Sequence, residues 1–148
     1  MARTNTAKQF MAERKSNCAQ SVFRVFANDL GLDEDLALSV SQAFGGGMGH
    51  TGSVCGAVTG AYLALGLANK TSKDNPRQNI DKTYALMAEF NQKFKALHGS
   101  TNCTQLLGYD LSKPEGMKAA ADAKVFITMC PNFVNDAVKI VEELLKLK

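Results

Sequence analysis

Eight of the chain's twelve glycines fall between residues 44 and 66: Gly45, Gly46, Gly47, Gly49, Gly52, Gly56, Gly60 and Gly66. Glycine enters left-handed backbone freely and lets other groups approach the main chain, at an entropic cost. Cys55 stands inside the run, and the residues after it, up to Ala68, are small and apolar enough for a helix buried on most sides. A glycine loop, a thiol and a buried helix in immediate succession have the geometry of a site. The competing reading is a loop that only turns a corner, which fewer glycines would accomplish.

The remainder of the chain reads as helices. Met11, Cys18, Val22 and Val25 recur at three-, four- and seven-residue steps, predicting one helix over residues 6–30 with Cys18 on its apolar face in mid-helix. Gly31 is a C′ residue for it. Asp33 then caps a second helix that runs to Phe44, where the glycines stop it. A third helix is expected over residues 53–68 with Ser53 as its cap, and residues 69–79 form a polar connection. Ile80, Tyr84, Met87, Phe94 and Leu97 mark a long helix ending at His98 and Gly99. A short helix over residues 102–107 follows, capped by Ser100 or Thr101 and closed by Gly108. Residues 109–116 read as a turn and residues 119–123 as a short helical turn. The last helix begins at Cys130 and Pro131, with Pro131 at the first helical position, Cys130 at the N-cap, and Val134, Val138, Val141 and Leu145 facing inwards. No stretch alternates with period two. The expectation is an all-α fold, one helical bundle of about five to six helices in a single domain over residues 1–148.

Composition excludes several function classes. A net charge of +3, with Arg14–Lys15 the only adjacent basic pair, lacks the basic face that nucleic acid requires. No run approaches the length of a membrane span, and the first residues show no apolar core of a secretory signal. A cytoplasmic protein is expected, with no nucleic-acid or membrane partner. In that compartment Cys18, Cys55, Cys103 and Cys130 are thiols or ligands rather than disulfides. None forms a Cys-x-x-Cys pair, and without Cys-x-x-Cys-His no attached c-type haem is expected. Residues 47–52 spell Gly-x-Gly-x-x-Gly, but a dinucleotide fingerprint needs a preceding strand, and here a helix precedes it.

Cys55, Cys103 and Cys130 stand at predicted helix N-termini, where free N–H groups and the dipole favour thiolate. A lone buried cysteine is ordinarily a small hydrophobe. Cysteines distant in sequence can nevertheless converge on facing helices of a bundle. Gly45, Gly46, Gly47, Gly49 and Gly56 would then bring backbone N–H groups to the bound group, the first three passing against the Cys55 sulfur. His50 and His98 are substitute ligands, although a satisfied or exposed histidine is the plainer account of each.

These residues resemble a known family. Asn17-Cys18-Ala19-Gln20, Phe44-Gly45-Gly46-Gly47, Cys55-Gly56-Ala57-Val58-Thr59-Gly60, Cys103-Thr104-Gln105-Leu106-Leu107-Gly108 and Cys130 are similar to the redox-active proteins of the C_GCAxxG_C_C family. One departure is that Val54 precedes Cys55 and Gly56 follows it, where the family label spells glycine before cysteine. The resemblance implies a redox role, with Cys18, Cys55, Cys103 and Cys130 binding an iron–sulfur cluster or another metal in electron transfer with a redox partner protein. Two other readings stay open. One is a thiol–disulfide oxidoreductase in which Cys55 attacks and a second cysteine resolves; the other is a structural zinc site. Whether the chain is an enzyme, and whether it pairs as a homodimer, are left open as well.

Overall fold

A computed structural model describes residues 2–147. Every regular element within them is helical, and extended pairing is confined to two isolated bridges, Val54 with Asn102 and Ser72 with Asn75. The all-α expectation stands. The expected five to six helices do not, because there are seven of eight residues or more and three shorter ones among the described residues.

The first difference lies at the start. The helix expected over residues 6–30 is two helices, α1 (Arg3–Ala12) and α2 (Cys18–Ala27). Arg14 is left-handed at φ +54 in the break. Asn17 then opens α2 with a capping box: its side chain accepts from the Gln20 N–H at 2.9 Å, and Gln20 Oε1 accepts from the Asn17 N–H at 3.0 Å. Met11 and Cys18 keep a helical spacing across the break because both face the same cavity, so periodicity alone does not reveal it. Cys18 is consequently the first residue of α2, not a mid-helix residue.

Asp33 caps α3 (Glu34–Ser41) as expected, accepting from the Leu36 N–H at 3.1 Å. A 3₁₀ turn, Gln42–Phe44, leads into α4 (Gly45–Met48), where Gly46 and Gly47 are left-handed at φ +66 and +70. Helix α5 (Gly56–Ala68) starts later than expected and has Cys55, not Ser53, at its N-cap. Eight of its residues are buried, and Ala57, Val58, Ala61, Ala64 and Leu65 have no exposure at all. Helix α2 lies directly against it. A Cβ on Gly60 would stand 2.6 Å from the Ala19 carbonyl oxygen, so the two helices cross at a distance only glycine permits.

Helix α6 (Ile80–His98) has the expected span and ends at left-handed Gly99, but Tyr84 and Leu97 of the expected stripe are exposed, and its buried residues are Phe90 and Phe94. Asn102, rather than Ser100 or Thr101, caps α7 (Cys103–Leu107) by accepting from the Gln105 N–H. Helix α8 (Pro114–Asp122) takes up part of the expected turn, since Pro114 suits a helix start. After α9 (Val125–Thr128), α10 (Cys130–Leu145) opens with Cys130 as its first residue instead of its N-cap. Val134, Ala137, Val138 and Val141 on α10 are fully buried against α1, α2, α5 and α6. Each of these three valines contributes about 1.5–3 kcal/mol by leaving water. Arg3 joins the ends of the bundle, pairing with Asp29 and with Glu142 at 2.9 Å.

Candidate redox centre

Cys18, Cys55, Cys103 and Cys130 all line one cavity of about 710 Å³. Each stands where a helix begins: Cys18, Cys103 and Cys130 as first residues of α2, α7 and α10, and Cys55 as the N-cap of α5. The sequence places three of them so; the break before α2 adds the fourth. Cys55 and Cys103 are neighbours through the bridge at Val54 and Asn102. There the Cys55 N–H donates to the Thr101 carbonyl at 2.8 Å and the Cys103 N–H to the Ser53 carbonyl at 2.6 Å. All four thiols are free.

The glycines act differently from the expectation. The Gly46 N–H favours the thiolate of Cys18, not of Cys55; the amides that do this for Cys55 are those of Ala57 and Val58 in its own helix. Gly47 backs Cys103, whose Cβ would lie 2.6 Å from a Cβ at that position. Gly56 faces a thiol directly, since a Cβ there would sit 2.1 Å from Cys18 Sγ. Gly45 is filled against the Asn17 side chain, and Gly49 closes α4 in a left-handed conformation outside the cavity lining. Of the five glycines expected to touch a bound group, Gly46 and Gly56 line the cavity.

The family described as "Putative redox-active protein (C_GCAxxG_C_C)" matches residues 16–144, a span that contains all four cysteines. The chain belongs to the C_GCAxxG_C_C family. A relative from Archaeoglobus fulgidus, printed as "Uncharacterized protein", is 33% identical over 98 residues, covering 61% of this chain and 64% of the relative's own length. No solved structure matches the chain.

The electrostatics of this C_GCAxxG_C_C cavity run against the lowered thiol pKa expected at helix N-termini. Burial raises every one of the four: Cys103 to about 11, Cys130 to about 12, Cys55 well above its ordinary value, and Cys18 upwards. The second cause for Cys55, Cys103 and Cys130 is the neighbouring Cys18 thiolate, whose like charge each must tolerate. Helix-end amides partly offset this at Cys18 and Cys55. Burial therefore favours the protonated thiols in the metal-free cavity, and a metal that bound them would displace those protons. Its donor set, four thiols with amides behind them, is the chemistry that soft, thiophilic metals take. Among the described residues no three His, Cys, Asp or Glu side chains close upon a single-ion site.

His50 lines the cavity at its exposed side, left-handed at φ +64, with its ring against Gly46. His98 takes the plainer role: its Nε2 lies 2.9 Å from Asp136 Oδ2 and its ring packs between Phe94 and Phe133. Sequence reasoning missed the rest of the lining, notably Arg14, Phe126 and Ile127. The Asn17-x-x-Gln20 capping pattern was the one available signal, because a helix start at residue 18 implies a bend at Arg14.

Proposed function

We propose that this chain is an electron-transfer protein whose Cys18, Cys55, Cys103 and Cys130 hold an iron–sulfur cluster, with Gly46 and Gly56 lying against the bound group. The observation carrying this is the convergence of four thiols, one from each of four helix starts, on one cavity. Thiols that share a cavity without closing on a point suit a centre of several atoms better than one zinc ion. The upward pKa shifts weigh against thiol–disulfide exchange, which needs a thiolate near neutral pH. When bound, such a cluster supplies a one-electron couple. The protein's own part is to release the thiol protons, direct the amides of Gly46, Gly56, Ala57 and Val58 at the sulfurs, and surround them with Leu106, Leu107 and Phe133. Apolar walls and amide donors are the levers by which a protein sets the potential of such a group.

Anaerobic purification followed by iron, zinc and acid-labile sulfide analysis tests the reading. Iron with matching sulfide, absorption in the visible range, and loss of both in each Cys→Ser variant are expected. Colourless protein loaded with zinc would overturn it in favour of a structural site. Colourless, metal-free protein that loses two thiols on mild oxidation and regains them with dithiothreitol would overturn it in favour of thiol exchange.

A further inference from the structure

The cavity has a second population of lining residues that no thiol needs. Its buried end carries Cys55, Cys103, Leu106 and Leu107, whereas Met11, Leu111, Phe126 and Ile127 reach it from segments that bear no cysteine. The exposed members of the lining, Arg14, His50 and Ile127 among them, mark its mouth. A volume of about 710 Å³ lies within the range of small-molecule sites, about 300–1,000 Å³.

The mouth is biased towards positive charge. No aspartate or glutamate is part of the lining among the described residues. Lys15 is committed, with its Nζ 2.6 Å from Glu13 Oε2. The Arg14 guanidinium makes no ion pair, hydrogen bond or ring contact with any described side chain, although Arg3 and Arg24 on the neighbouring helices are both paired. Arg14 and His50 are also left-handed at φ +54 and +64, a conformation unfavourable for a residue with a Cβ. Such backbone gathers at ligand sites. An unpaired guanidinium held at an apolar opening has the chemistry of an anion clamp.

We infer that this cavity binds a small organic anion, its carboxylate or sulfonate held at the mouth by Arg14 and its apolar body lodged among Met11, Leu111, Phe126 and Ile127. The orientation follows from charge. Arg14 is exposed at the mouth while Leu106, Leu107 and Leu111 are buried in the lining, so the charged group stays outside and the apolar part points inwards. The inference rests on the shape and charge of the cavity and is independent of the metal.

The probes are 2-naphthoate and its neutral counterpart 2-naphthylmethanol, followed by their own fluorescence, since the chain has no tryptophan. Each is titrated into the full chain, both as purified anaerobically and after chelation under reductant. Saturable one-to-one binding of 2-naphthoate, tighter than that of the alcohol, is expected. Arg14→Gln should weaken 2-naphthoate about tenfold, the size of one charge-assisted hydrogen bond, and leave the alcohol unchanged. Ile127→Asp should weaken both probes, with circular dichroism showing that each variant keeps its helices. Absence of saturable binding by 2-naphthoate overturns the inference, as does equal affinity in the parent and Arg14→Gln. Binding in a preparation without iron leaves this inference standing while removing the cluster; iron without binding does the reverse.

Discussion

Where α6 meets α10, aromatic side chains pack against one another. Phe94 stacks on Phe90 with ring centroids 5.7 Å apart, meets Phe133 at 6.3 Å and touches His98 at 4.7 Å. Phe90 and Phe94 have no exposure. Where α2 meets α5, the chain removes side chains instead: Gly56 faces Cys18 Sγ, Gly60 faces Ala19, and the loop glycines leave room for Cys103. Phe133 belongs to both regions, with one edge on the aromatic stack and another on the cavity. The α6–α10 contact thus builds an aromatic wall, and beside it the α2–α5 contact borders a space lined by thiols. The contrast separates residues that hold the fold from residues proposed to hold a ligand. Altering the first group should change stability and spare the site, and altering the second should do the opposite.

Phe94→Ala is the strongest test of the filled side. Removing this ring should lower the unfolding free energy by about 3–5 kcal/mol in urea titration, while iron per folded chain stays at the parental level. Loss of iron at a denaturant-free, fully folded state would show that the two regions are one unit.

Alkaline pH tests the thiol side of the metal-free, reduced protein. Unfolded cysteine titrates near about 8.5, whereas Cys103 and Cys130 in the fold are pushed up to about 11 and about 12. Above about pH 8.5 the unfolded chain loses protons that the folded chain keeps, so the unfolded state gains. Stability should hold from neutral pH to about 8.5 and fall progressively as pH rises towards 11–12. Urea midpoints across that window check it, and Cys103→Ala combined with Cys130→Ala should flatten the decline.

Gly56→Ala sharpens the comparison from within the cavity wall. Its methyl would collide with Cys18 Sγ. Overpacking of this kind destabilises by about 1–3 kcal/mol. The distinguishing outcome is metal uptake: iron should be lost although circular dichroism stays helical. A variant that loads iron at the parental level would return Gly56 to a packing role.

Asn17→Ala is the smallest of the four. Loss of an N-cap costs about 1 kcal/mol. Because Asn17 also donates from Nδ2 to the Gln42 carbonyl at 2.9 Å, the start of α2 should loosen against the glycine turn. Thermal unfolding should show a modest drop, and iron should exchange to a competing chelator faster than in the parent.

The sequence by itself determined the helical class, the position of α6 with its Gly99 end, the Asp33 cap and the family membership carried by four cysteines. These follow from apolar periodicity and from caps, forces that act within a few residues of each other. It also held the Asn17 capping box, which apolar spacing across residues 11–18 concealed. What only the tertiary structure decided is the contact of Gly56 with Cys18, the pairing of Gly46 with Cys18 instead of Cys55, and the meeting of all four thiols in one cavity. The direction of the thiol pKa shifts belongs there too. A helix N-terminus is local and favours thiolate, but burial and like-charged neighbours come from elements far away in the chain, and here they prevail.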